Sequence, residues 1–242
     1  MIEHLPNYYT IIFGLTTLLT LVFFYVVLDN SKGCDYNVNA PNIIIALTFW
    51  LILQAFLSFY KVYKTNLDTI PPNIALFGTI PTIIAILIFF FTKKGNMFID
   101  SLPLKILTYL HVVRVPVEIM IYMLFLQKAV PSIMTFVGIN FDILAGLSAP
   151  IIAYYGFTKK TLSNRVLLIW NYISLALLLN IVVIAVLSAP TPFQVFGKEQ
   201  PNIAILNFPY SWLPTFIVPI VFLSHLICIR RLKFSDETIV AD

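Results

Sequence analysis

Seven apolar stretches alternate with short polar joints along the chain, at residues 9–28, 43–60, 74–92, 102–126, 141–157, 166–188 and 212–229. A bilayer's hydrocarbon core takes about 20 helical residues to cross, so each stretch is long enough to span, with 141–157 at the short limit. The prolines fall mostly at the joints, where a lost amide costs least. The pattern predicts an all-helical bundle of seven transmembrane helices forming one integral membrane domain over residues 1–242. The first stretch lacks a basic flank and a small-residue cleavage site and reads as a retained span.

Composition supports this reading. The chain is 60% hydrophobic and 11% charged, with mean hydropathy +0.92, whereas a soluble domain carries roughly 25% charged residues. The net charge of +4 is a topology signal here and not a nucleic-acid footprint. Lys32, Lys93, Lys94, Lys105, Lys159, Lys160, Arg165, Arg230, Arg231 and Lys233 fall at one side of the predicted membrane, and Lys61, Lys64, Lys128 and Lys198 at the other. Ten against four places the C-terminus in the cytoplasm and, with seven spans, the N-terminus outside.

One stretch carries most of the candidate chemistry. Residues 110–127, LHVVRVPVEIMIYMLFLQ, place His111, Arg114 and Glu118 inside the fourth span. A spacing of i, i+3 and i+7 puts all three on one helical face. Ionisable groups at membrane depth are costly, and they turn toward a protein interior or a wet cavity. Pro116 predicts a kink between Arg114 and Glu118. An Arg114–Glu118 pair at i, i+4 would be a structural clamp. The stripe read together is a ligand, proton or ion site.

At 1.5 Å per residue, His111 and Asn171 lie about 9–13 Å from the cytoplasmic side and His225 roughly 6–8 Å. Gln54 and Arg114 fall near the midplane. Glu118 and Asn180 lie in the outer half, and Asp142 at the outer end of the fifth span. The matched depths predict that His111, Asn171 and His225 converge at the cytoplasmic half of a common cavity. Asn140 or Asp142 is a candidate N-cap for the fifth helix, whose small face (Ala145, Gly146, Ala149) places it centrally in the bundle. The first and third spans are expected to be lipid-facing scaffold. The long joint at 189–211 folds back as a lid or lies in the interface.

The candidate site is therefore Gln54, His111, Arg114, Glu118, Asn140, Asp142, Asn171 and His225. Several chemistries fail on residue type. No lysine sits deep in a span for a retinal Schiff base. Zinc hydrolysis needs three converging ligands, while only His111 and His225 lie in spans, and His4 is terminal. The seven-span zinc hydrolases and adiponectin-receptor-like proteins fail on that count. Cys34 and Cys228 fit neither a metal spacing nor a disulfide framework. Gly146-Leu147-Ser148-Ala149 approaches the rhomboid nucleophile motif, but no histidine shares the depth of Ser148. No metal and no cofactor is expected, although His111 and His225 could serve as axial ligands to a haem.

The motifs LHVVRVPVE, MTFVGINFDILAGLSAP and WLPTFIVPIVFLSH together resemble those of a family of uncharacterised bacterial seven-span inner-membrane proteins. The resemblance rests on His111, Arg114, Pro116, Glu118, Asn140, Asp142, Gly146, Pro150 and His225. It implies the fold and a multi-pass place in the bacterial cytoplasmic membrane, and no mechanism. The leading functional expectation is a small permease or ligand-binding membrane protein, not an enzyme, for an anionic or proton-coupled solute. In that reading Arg114 holds an anion and His111 relays a proton. The alternatives are a membrane-embedded enzyme or redox protein using both histidines, and a structural accessory subunit. The lipid bilayer is the expected partner, and nucleic acid is not.

Overall fold

The computed structural model describes residue 2 and residues 5–31 and 39–240; His4, Lys32 and Cys34 lie outside them. The described residues are all helical, without strands. The helices are α1 (Asn7–Asp29), α2 (Ala40–Phe59), α3 (Ile80–Phe91), α4 (Lys93–Ser101), α5 (Leu104–Leu110), α6 (Arg114–Leu126), α7 (Ile143–Ala153), α8 (Asn164–Ser188) and α9 (Val218–Val240). Each of the seven apolar stretches is helical. Five helical segments are long and apolar enough to cross a membrane: Asn7–Asp29, Ala40–Phe59, Leu104–Leu126, Asn164–Ser188 and Leu213–Lys233. A sixth is counted if Ala75–Phe91 and Lys93–Ser101, bent by 92°, form one broken span. Ile143–Thr158 is apolar but shorter.

The distribution of side chains is inverted relative to a water-soluble protein. Phe49, Ile45 and Phe91 are 67%, 66% and 83% exposed, while His111, Arg114, Glu118, Asn140, Asp142, Asn171 and His225 are all buried. Soluble monomers do not expose apolar surface on this scale and rarely enclose so many polar groups.

Helix α4 is an element that mean hydropathy hides. Its sequence KKGNMFIDS is amphipathic, with Phe98 and Ile99 buried and Lys93, Lys94 and Asp100 exposed. Thr92 caps its N-terminus by accepting from the Gly95 amide at 3.0 Å. It turns away from α3 at that residue.

Wide π-type turns precede α3 (Ala75–Thr79) and α9 (Leu213–Ile217). Pro81 and Pro219 lack the amide that would bond four residues back, which leaves the Phe77 and Thr215 carbonyls without that partner. Helix α2 supplies both replacements. Gln54 Nε2 donates to Phe77 O at 3.1 Å, and Trp50 Nε1 to Thr215 O at 2.9 Å. Trp50 and Gln54 are one helical turn apart, so one face of α2 clasps both proline breaks. The two turns cross at Gly78, where a Cβ would stand 2.4 Å from Thr215 Cγ2. Only glycine fits there.

The fifth helix is peripheral and not central. Ala145, Gly146, Ala149 and Ala153 pack inward, but Leu144, Leu147 and Ile151 are more than half exposed. At 16 residues, Ile143–Thr158 spans roughly 24 Å, short of the ~30 Å core of a bilayer. An irregular connector precedes it. Its polar residues Thr135, Asn140 and Asp142 are buried, while Val137, Ile139 and Phe141 face outward. Irregular backbone at membrane depth is tolerated when its polar groups are covered by protein in this way.

The joint at 189–211 folds back as a lid. The Ile203 and Ala204 amides donate to Ala129 O, Gln200 Nε2 donates to Val130 O at 2.6 Å, and the Asn202 amide to Ser188 O at 2.8 Å. Helix α1 packs one face inward through Phe13, Thr17, Thr20 and Phe24, so it is scaffold with a buried face.

Candidate functional site

The fourth span is two helices in series. A tight turn, His111–Val113, separates α5 from α6, and Pro116 occupies the first turn of α6. The break therefore precedes the proline, whose missing amide costs little in a first helical turn. This places His111 and Arg114 at the tightened turn, in contact with residues before α7 and on α8 and α9.

Arg114 is bound on all sides. Its Nε donates to Asp142 Oδ2 at 2.7 Å and its Nη2 to Asp142 Oδ1, a bidentate ion pair. Nη2 also donates to Ser174 O at 3.0 Å, and Nη1 lies 3.1 Å from His225 Nε2. Such fork-to-fork pairing is the strong form of the arginine–carboxylate contact. The expected Arg114–Glu118 pair is not formed. Asp142 precedes α7 at the N-cap position but makes no side-chain cap. Its carboxylate turns to Arg114 because a buried guanidinium outcompetes an amide for it.

Glu118 takes a different partner. Its Oε2 accepts from Asn140 Nδ2 at 2.6 Å, and among the described residues it has no ion-pair partner. Asn140 is the hub of the connector. Its Nδ2 also donates to Met134 O at 2.8 Å, and its Oδ1 accepts from the Asp142 amide at 3.0 Å. One side chain thus fixes both carboxyl-bearing residues. Counting formal charge, Arg114 balances Asp142, and the Glu118 carboxyl stands without a cation of its own.

The hydrogen bonds settle the His225 tautomer. Arg114 has no lone pair to offer, so Nε2 accepts and the ring proton sits on Nδ1. Nδ1 lies 3.0 Å from Asn171 Oδ1, and Asn171 Nδ2 is anchored on Leu167 O at 2.9 Å, which aims the amide oxygen at the ring. His111 stacks on His225 with centroids 3.9 Å apart and planes 21° apart, and meets Trp170 edge-on at 5.6 Å. Both His111 ring nitrogens are buried without a hydrogen-bond partner among the described residues. The structure thus brings His111, Asn171 and His225 together, but none of the three lines the cavity beside Arg114 and Glu118, so the expected common cavity is not formed by them. The haem reading does not fit, since both nitrogens of His225 are engaged and the rings are stacked face to face.

Gln54 lies apart from this network. It accepts from the Tyr63 hydroxyl as well as bonding Phe77 O, and burial pushes the Tyr63 phenol above its ordinary range, which keeps the donor in place. Its role is the α2 clasp. Asn180 also stands aside, donating to Ile139 O at 3.1 Å. Ser148 accepts from Trp170 Nε1 at 2.9 Å and bonds back to Leu144 O, which makes it a packing residue. Ser174 contributes a carbonyl that residue type could not flag; its signal is the 171, 174, 178 spacing, which continues the buried face of α8.

A cavity of about 130 Å³ opens beside this network. Arg114, Glu118 and Asp142 form its polar side, and Leu178, Ile181, Leu213, Ile217 and the lid residue Ile205 its apolar walls. No group of three or more metal-ligating side chains exists among the described residues.

Residues 71–233 match the family model described as Domain of unknown function (DUF8737). No curated protein and no solved structure matches the chain.

Proposed function

The chain belongs to the DUF8737 family, and since that membership brings no activity with it, we propose a function from the site itself: an integral membrane protein that binds a small, largely apolar molecule through one hydrogen-bond donor or positive charge. The observation that carries this is Glu118, a carboxyl on the wall of an apolar cavity without a cation of its own, beside an arginine already engaged by Asp142. An anion would have to displace Asp142 to reach Arg114. A donor meets Glu118 directly.

In this reading the molecule is a single seven-span domain in the bacterial cytoplasmic membrane, with the C-terminus inside. Support comes from the gathering of basic residues at one end, where Arg230 meets Asp100 at 3.3 Å and Arg231 bonds Leu102 O. The role is that of a receptor or permease, and the ligand enters from the lid side or between helices.

A cavity of about 150 Å³ accepts benzene, close to the roughly 130 Å³ here, so benzyl compounds are probes on the scale of the site that differ only at the polar end. Melting of the purified protein is the readout. Benzylamine and benzyl alcohol should raise the melting temperature and benzoate should not. Glu118→Gln retains an acceptor for Asn140 and should abolish the benzylamine shift. Stabilisation by benzoate that depends on Arg114 would instead establish an anion site and overturn the proposal.

A further inference from the structure

A second cavity lies on the opposite side of α9, between α1, α2, α3 and α4. It is an open groove of about 200 Å³ lined by Phe24, Leu47, Ala85, Phe89, Phe98 and Leu223. The polar groups on its wall are all engaged internally: Trp50 Nε1 by Thr215 O, Thr82 Oγ1 by Thr79 O, and Thr215 Oγ1 by Ser211 O. The groove therefore offers an occupant no free side-chain hydrogen-bond donor, and suits a hydrocarbon chain.

Its rim is charged. Phe98, on the groove wall, belongs to α4, and Lys94 stands one helical turn before it on the same face. Lys93 adjoins Lys94, and both are exposed. Phe89 of α3 stacks on Phe98 with centroids 5.1 Å apart, so the groove runs up to the bend where α4 turns by 92°. The nearest acidic residue on α4, Asp100, is paired with Arg230. Lys93 and Lys94 have no ion-pair partner among the described residues.

We infer that this groove is a binding site for an anionic phospholipid, with one acyl chain against Phe24, Leu47 and Ala85 and the phosphate at Lys93 and Lys94. The inference rests on the membrane reading above and is independent of the Glu118 cavity. A helix lying across the end of a span holds its basic first turn at headgroup level, and juxtamembrane lysines select anionic lipid.

The full chain, exchanged in mild detergent against equal amounts of phosphatidylglycerol and phosphatidylcholine, tests it by native mass spectrometry. Wild type should retain one phosphatidylglycerol with a preference of about thirty-fold, the contribution expected of two lysines near a surface. The K93Q/K94Q double variant, altered only at exposed positions, should bring the two lipids near parity. Ala85→Phe, which fills the groove, should remove the adduct without lowering the melting temperature. Equal retention of the two lipids by wild type, or a preference that survives K93Q/K94Q, overturns the site. A chain that retains neither lipid also overturns the site, whereas release of the protein from membranes by alkaline carbonate would overturn the membrane reading itself.

Discussion

Arg114 and its partner decide the energetics at the scale of single residues. Removing one member of a buried ion pair strands the other charge and costs about 3–5 kcal/mol, whereas removing both leaves no orphan. Arg114→Met should therefore melt well below wild type, and Arg114→Met with Asp142→Leu should recover most of the loss. Arg114→Met with Glu118→Leu should not recover it, because Glu118 is not the partner; differential scanning fluorimetry of the three variants reads the outcome. The histidines separate in the same way. His111 makes no hydrogen bond, so His111→Phe should melt at or above wild type. His225→Phe leaves Arg114 Nη1 and Asn171 Oδ1 without the ring that engages them and should cost about 1–3 kcal/mol. The meeting of His111, Asn171 and His225 was legible from depth alone, since helical rise places residues of different spans on one scale. The Arg114 partner was not, because i, i+4 spacing reports only neighbours on the same helix. Asp142 reaches Arg114 through a connector whose burial no periodicity reveals.

At the scale of elements, two close contacts hold the site together. Gly146 of α7 faces α6, where an added Cβ would stand 2.9 Å from Val115 Cγ2 and 3.2 Å from Arg114 Cβ. Gly146→Ala should push α7 outward and destabilise by about 1–3 kcal/mol, an overpacking cost. It should also loosen the Arg114–Asp142 pair, so Arg114→Met should cost less in its background. Helix α2 acts at a distance. Gln54→Ala would leave the Phe77 carbonyl and the Tyr63 hydroxyl unpaired, with a loss of about 1–3 kcal/mol in thermal unfolding, yet it should not alter ligand response, because Gln54 lies outside the cavity. The helical character of the apolar stretches was readable because length and hydropathy report transfer into an apolar phase, and five segments are long enough to cross a membrane. Helix α4 was not, because its nine residues average polar and apolar faces. The proline clasp was also hidden, since a freed carbonyl finds its donor on a helix remote in sequence.

For the whole molecule, the segregation of basic residues to one end predicts that Lys160→Cys is labelled from the cytoplasmic side and Lys198→Cys from the outside by a membrane-impermeant maleimide. Labelling of both from one face would contradict the proposed orientation. The central claim is that Asp142 engages Arg114 and so leaves Glu118 free to meet a ligand in an apolar cavity. A hydrophobic carbodiimide, which converts an accessible carboxyl in apolar surroundings to a stable acylurea, tests this in the intact protein by peptide mass spectrometry. The account predicts modification at Glu118, slowed by benzylamine and not by benzoate, with Asp142 untouched in the grip of Arg114. Modification of Asp142 with Glu118 spared, or a Glu118 reaction indifferent to benzylamine, would contradict it.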